Sequence, residues 1–79
     1  MPYVKKSVRK ELLTREPKTS GELNYVITKK VLDYLKWKGY CYDNFNEVIG
    51  ALECAKIELY RRKIAKYEDV KIEENGDVY

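Results

Sequence analysis

The side chains best suited to bind a ligand are tyrosines and cations on the two longest predicted helices. Tyrosine rings stack on nucleobases, and lysine or arginine side chains hold phosphate groups. Together they would bind an anionic nucleotide, and the candidate ligand-binding residues are Tyr25, Lys29, Lys56, Arg61, Arg62 and Tyr67. Tyrosine is also enriched at protein interfaces, so the same residues fit a surface that docks on another protein.

Catalytic chemistry has little support in this sequence. There is no histidine, and Cys41 and Cys54 lack the C-x-x-C spacing of a redox or metal site. Glu47, Glu53 and Glu58 do not have the i, i+3 or i, i+4 spacing of paired carboxylate ligands on a helix. We therefore predict a protein that is not an enzyme, with no metal and no cofactor. Its two cysteines are predicted to be reduced, one of them buried.

Residues 44–67 are predicted to form a long helix with two apolar sides. Asp43 and Asn44 are good N-cap residues, and Glu47 has capping-box spacing from Asn44. One side has the i, i+3, i+4 pattern of a core-facing helix. Its members are Phe45, Val48, Ile49, Leu52, Ala55, Leu59 and Tyr60.

The opposite side of this helix predicts an interface between subunits, formed by Gly50, Cys54, Ile57, Arg61 and Ala65. Small residues let a second backbone come close, and a glycine within a helix costs about 1 kcal/mol relative to alanine. A contact with another chain would offset that cost; the alternative is an isolated, tolerated glycine near a buried cysteine. A chain of 79 residues builds only a small core, which also favours a homo-oligomer.

Two further helices are predicted before the long one. Residues 5–15 form a short amphipathic segment that Pro17 ends. Thr19 and Glu22 then have capping-box spacing at the start of a second long helix, which ends at Gly39. Only residues 40–42 lie between Gly39 and the Asp43-Asn44 cap of the third helix. Because this connection is so short, the two long helices are predicted to form an antiparallel hairpin.

The C-terminal residues differ in character from the rest. Val70 and Ile72 alternate with polar residues, and Asn75-Gly76 is a strong hairpin signal. Too few residues follow for a full returning strand. The segment is therefore predicted to be an acidic tail that is either extended or a small hairpin.

The predicted fold is mainly α, with one small domain over residues 1–79. It comprises an N-terminal helix (1–17), a helical hairpin (19–67) and the acidic tail (68–79). The apolar runs are too short to span a bilayer, and the N-terminus lacks the apolar segment of a signal peptide. We therefore expect a cytoplasmic protein with no membrane partner. Its net charge of +3 and acidic end make nucleic acid an unfavoured partner.

Three separated motifs resemble those of a family of short proteins encoded in bacteriophages and prophages. They are GELNYVIT at residues 21–28, EVIGALECAKIELYRR at residues 47–62, and ENGDVY at residues 74–79. The resemblance covers most of the chain after Thr19. It implies a phage-type protein in the cytoplasm of a host bacterial cell.

This resemblance sharpens the expected function. Small oligomeric phage proteins include sponges that sequester the cyclic nucleotide signals of bacterial anti-phage defence in pockets between subunits. The likeness to sponges is one of genomic setting and size, and it implies sequestration of an anionic cyclic nucleotide as the specific hypothesis. Two alternatives stay open: a protein-interaction module that docks on a host or phage protein, and a nucleic-acid accessory protein.

Overall fold

The computed structural model describes residues 1–79 and contains helices but no strand. The elements are α1 (Lys6–Glu11), α2 (Ser20–Lys38), α3 (Tyr42–Leu59), a π-helical turn (Tyr60–Ile64) and α4 (Ala65–Asn75). The prediction of a mainly α protein is confirmed. The chain divides into two compact units, Met1–Asn44 and Phe45–Tyr79.

The N-terminal helix is shorter than predicted. α1 ends at Glu11, and the amides of Leu13 and Thr14 then bond carbonyls three residues back, which makes tighter turns than an α-helix. Arg15 follows and pairs with Glu22 of α2 at 2.8 Å. A helix of six residues is marginal alone, so this ion pair helps to hold the segment against α2.

α2 has the predicted start and end. The hydroxyl of Thr19 accepts a hydrogen bond from the backbone N–H of Glu22 at 3.1 Å, as an N-cap does. The carboxylate of Glu22 in turn accepts one from the backbone N–H of Lys18 at 3.0 Å. At the other end Gly39 has φ +117°, which side-chain-bearing residues rarely adopt, and the helix stops there.

The connection between α2 and α3 is fixed by a side chain that was predicted to have another role. α3 begins at Tyr42, so Asn44 lies in its first turn and is not its N-cap. The side-chain amide of Asn44 donates to the carbonyls of Lys38 at 3.3 Å and Gly39 at 3.0 Å. Carbonyls at a helix end have no partner within the helix, so Asn44 caps α2 from the following helix.

The chain buries very little of its apolar surface. Leu35 of α2 is 5% exposed and Val48 of α3 is 8% exposed, whereas Trp37 is 81% exposed. The accessible surface is 7172 Å². Size scaling gives about 5,000 Å² for a compact monomer of this mass. Most residues of the predicted core faces are therefore not buried within one chain, and the antiparallel packing of the long helices stays a prediction.

The long helix continues farther than predicted. α3, the π-helical turn and α4 follow one another without a break, and the helix ends at Asn75. The predicted extended or hairpin tail over residues 68–79 is therefore wrong for all but its last residues. Gly76 has φ +91°, and this left-handed conformation ends a helix as readily as it makes a hairpin turn. The alternation of Val70 and Ile72 was too short to distinguish a strand from a helix.

The π-helical turn changes which side chains share a face of the long helix. Residues eight apart in a regular α-helix differ by about 80° around the axis, and one inserted residue reduces this to about 20°. The turn thereby aligns Tyr60 with Glu68, and the hydroxyl of Tyr60 donates a hydrogen bond to the Glu68 carboxylate.

Candidate functional site

The six candidate ligand-binding residues are divided between the two units. Tyr25 and Lys29 belong to the first unit, and the second unit contains Lys56, Arg61, Arg62 and Tyr67. Each unit contains a hollow bordered by two members of the set.

The hollow of the first unit lies between the α1 segment and α2. Its volume is about 230 Å³, and Tyr25, Lys29, Lys30 and Asp33 form one wall. The guanidinium of Arg9 comes from the opposite side and lies 5.6 Å from the centre of the Tyr25 ring, within the range of a cation–π contact. The structure thus joins two predicted residues with Arg9, which the sequence reasoning missed.

The charge of this hollow is predominantly positive. Lys29 pairs with Asp33 at 3.0 Å, and this hydrogen bond raises the pKa of the lysine, which therefore stays protonated. Arg9 and Lys30 add two further cations to the same rim. Arg9 is held in place because its Nε donates to the carbonyl of Val4 at 3.0 Å. Nothing in the spacing of residues 1–30 indicated that Arg9 would meet Tyr25.

The hollow of the second unit follows the π-helical turn and differs in chemistry. It has a volume of about 500 Å³ and apolar walls, formed by Lys56, Ile57, Leu59, Tyr60, Arg61, Ile64 and Ala65. Lys56 and Arg61 contribute only their apolar stems to these walls. Such a hollow suits an apolar side chain better than a phosphate.

The candidate cations of the second unit are paired with carboxylates of their own helix. The pairs are Lys56–Glu53 at 3.2 Å, Arg61–Glu58 at 2.9 Å and Arg62–Glu58 at 3.7 Å. All of these side chains are exposed, and exposed pairs at this spacing contribute only about 0.3–0.5 kcal/mol each. Tyr67 lies under the ammonium of Lys71 at 5.5 Å. Arg62 and Tyr67 do not line the hollow that Lys56 and Arg61 border.

Four residues of the predicted subunit interface, Gly50, Cys54, Ile57 and Arg61, are exposed, and Ala65 is half-buried. Three of its members, Ile57, Arg61 and Ala65, line the apolar hollow. A Cβ added at Gly50 would meet nothing within 4 Å, so no contact within the chain requires a glycine there. Cys54 is exposed, and so is Cys41; both are free thiols, so the prediction of a buried cysteine is wrong for the isolated chain.

Two further properties concern metal ions and membranes. No group of three histidine, cysteine, aspartate or glutamate side chains is placed to hold a metal ion. None of the helices combines the length and the apolar character that crossing a bilayer requires.

These features define a small helical protein with a long, exposed and two-sided helix. The model of a domain family of unknown function, DUF6899, matches residues 1–78. The chain belongs to that family. No curated protein sequence matches it, and no solved structure matches it.

Proposed function

We propose that this protein is a non-catalytic interaction module that assembles through its long helix, in the first place with copies of itself. One observation supports this most directly: every residue of 49–75 except Ala65 is exposed. That stretch amounts to about 40 Å of helix at 1.5 Å per residue.

The exposed helix is too apolar to be a plain solvated surface. Its large apolar residues are between 39% and 64% exposed, and they are Ile49, Leu52, Ile57, Leu59, Tyr60, Ile64, Tyr67, Val70 and Ile72. Burial of apolar surface contributes about 25 cal/mol per Å², and most helical stability in proteins comes from such packing. A second chain packed along this helix would bury this apolar surface and thereby stabilise the helix.

The chemistry of the hollow at the π-helical turn favours a protein as its occupant. Its walls are apolar, and the charged ends of Lys56 and Arg61 are paired with Glu53 and Glu58. A phosphate would have to displace those carboxylates. An apolar side chain of a neighbouring helix would enter without breaking either pair.

Sedimentation equilibrium combined with far-UV circular dichroism tests this function. We expect a mass that exceeds the 9.4 kDa of one chain and rises with concentration. The helical signal should rise with it, because most helical stability in proteins comes from packing of an apolar face against another element. A monomer whose helical signal does not depend on concentration would overturn the proposal.

A second candidate function, binding of an anionic nucleotide, is favoured by the hollow of the first unit. Arg9, Lys29 and Lys30 surround Tyr25 there against the single carboxylate of Asp33. A base could stack on the tyrosine while the cations hold phosphate. This site would suit the sequestration of a cyclic nucleotide signal by a phage-type protein.

Titration calorimetry against a panel of cyclic dinucleotides and trinucleotides tests the second candidate. Lys29→Ala should weaken binding, whereas Lys36→Ala, another exposed lysine of α2 outside the hollow, should not. Equal loss in both variants would indicate nonspecific attraction. No binding by the wild-type chain would exclude this function for the whole panel.

A further inference from the structure

The hollow of the first unit is built from two segments that the chain brings together. Arg9, Leu12 and Leu13 line it from residues 1–15, which we call the N-terminal segment. Residues of α2, among them Tyr25 and Lys30, line it from the other side. A group bound in this hollow of about 230 Å³ would therefore contact both segments at once.

The guanidinium of Arg9 is held in place but has unused donors. Its Nε donates to the carbonyl of Val4 at 3.0 Å, and its central carbon lies 5.6 Å from the centre of the Tyr25 ring. Arg9 forms no ion pair and no other hydrogen bond. A guanidinium has five N–H donors, so the four on its two terminal nitrogens have no acceptor in the protein. Such donors form the fork that binds a phosphate group bidentately.

The charge of the hollow matches that of a phosphate group. Arg9, Lys29 and Lys30 contribute three positive charges, and Asp33, which pairs with Lys29 at 3.0 Å, contributes one negative charge. Lys30, like Arg9, has no carboxylate partner. The excess of two positive charges is balanced by a phosphate monoester, which carries about −1.5 to −2 at neutral pH. A phosphate also offers three terminal oxygens, one more than a carboxylate, to cations that come from two segments.

The helix of the N-terminal segment is marginal without a partner. α1 has six residues, no side-chain cap at its start and no acidic residue in its first turn. The pair of Arg15 with Glu22 at 2.8 Å helps to hold the segment against α2. Arg9 and Lys30 oppose this contact, because two like charges face one hollow whose single carboxylate is engaged by Lys29. An anion between them would replace this repulsion with attraction to both.

We propose that a phosphate group binds between Arg9 and Lys30 and thereby holds the N-terminal segment against α2. The terminal nitrogens of Arg9 donate to its oxygens from one side, and the ammonium groups of Lys29 and Lys30 donate from the other. The inference rests on the site of the second candidate function and adds that ligand binding orders the N-terminal segment. It requires only the phosphate group, which inorganic phosphate and nucleotides share.

Amide hydrogen exchange of the whole chain tests the proposal, with inorganic phosphate as the probe and chloride at the same ionic strength as the reference. The amides of Arg9, Leu12 and Arg15 donate to carbonyls four residues back, so they exchange when the segment opens. At ten times the dissociation constant of phosphate, the opened segment becomes about tenfold rarer. These three amides should therefore exchange about tenfold more slowly, whereas amides in the exposed part of α3 should keep their rates.

Charge reversal in α2 tests the role of the phosphate. Lys30→Glu places a carboxylate on the rim of the hollow, where it can pair with Arg9 as the phosphate would. The N-terminal segment of this variant should exchange slowly without phosphate and should not respond to it. Lys36→Glu is the matched control, because Lys36 is an exposed lysine of the same helix outside the hollow, and it should keep the full response. Equal responses of the two variants to phosphate would refute the assignment of Lys30.

The outcomes separate this inference from the proposed functions. If phosphate slows exchange no more than chloride does, the inference is wrong. Binding of a cyclic nucleotide without slower exchange in the N-terminal segment would keep the second candidate function and remove the inference. A chain that responds to inorganic phosphate but binds no cyclic nucleotide would keep the inference and remove that function. Self-assembly is judged separately by sedimentation, because the exposed helix over residues 49–75 belongs to the second unit.

Discussion

Replacement of Gly50 by alanine compares the stability of the long helix in a separate chain with its stability when a second chain is bound. Gly50 is exposed, lies inside α3 and has nothing within 4 Å of the position where a Cβ would stand. Alanine is favoured over glycine in a helix interior by about 1 kcal/mol. Without a partner we therefore expect Gly50→Ala to stabilise the helix by about that amount.

The assay is thermal unfolding followed by far-UV circular dichroism at several protein concentrations. A gain of about 1 kcal/mol raises the midpoint of a domain of this size by about 4–8 °C. At low concentration, where chains are separate, the whole gain should appear. At high concentration, where a second chain packs along the long helix, the added methyl group occupies open space beside Gly50 that the second chain would use, so the gain should shrink.

Ala51→Gly is the matched control. Ala51 is the next residue, is equally exposed within α3 and is not one of the predicted interface residues. Ala51→Gly should lower the free energy of unfolding by about 1 kcal/mol at every protein concentration. A lower midpoint for Gly50→Ala at low concentration would refute the reasoning, because it would mean that the glycine is required within the single chain.

Other outcomes concern the first unit and the π-helical turn. The hydrogen bond from the Arg15 guanidinium holds the pKa of Glu22 below its ordinary 4.5. The ionised Glu22 therefore stabilises the folded chain fully above that pH, and this stabilisation is lost as the pH falls through the pKa of Glu22 in the folded state. Glu22→Gln should flatten this dependence in thermal unfolding between pH 6 and about pH 2. Asn44→Ala should lower stability by about 1 kcal/mol in urea unfolding, with the exposed Asn46→Ala near neutral. The pKa of Tyr60 is raised by its hydrogen bond to Glu68, so one tyrosine should ionise last in an ultraviolet titration, and Glu68→Gln should remove that delay.

Local signals in the sequence predicted local structure well. The start of α2 follows from Thr19, whose hydroxyl bonds an amide only three residues away. The end of α2 follows from Gly39, because its positive φ is a property of one residue. The prediction that Asn44 is the N-cap of α3 was wrong for a related reason. An asparagine at a helix boundary can cap either neighbouring helix, and here it caps the preceding one.

Features that depend on other parts of the chain were not predictable. The π-helical turn has no signal in residues 60–64, and it determines that Tyr60 meets Glu68. The contact of Arg9 with Tyr25 depends on how α1 lies against α2. Of the candidate site, the sequence therefore predicted which residue types are exposed on the helices but not which of them meet.

The two proposed activities use different surfaces, so one does not exclude the other. Self-assembly along the long helix would cover Arg61, one of the predicted interface residues, and leave less of its charge for a nucleotide. Arg9, Lys29 and Lys30 around Tyr25 would remain the cationic site of each chain. A nucleotide bound there should leave the mass of the assembly unchanged, whereas Arg61→Glu should lower the mass and spare nucleotide affinity. If Arg61→Glu abolished both, the ligand would have to lie at the paired helices, and the hollow beside Tyr25 would lose its role.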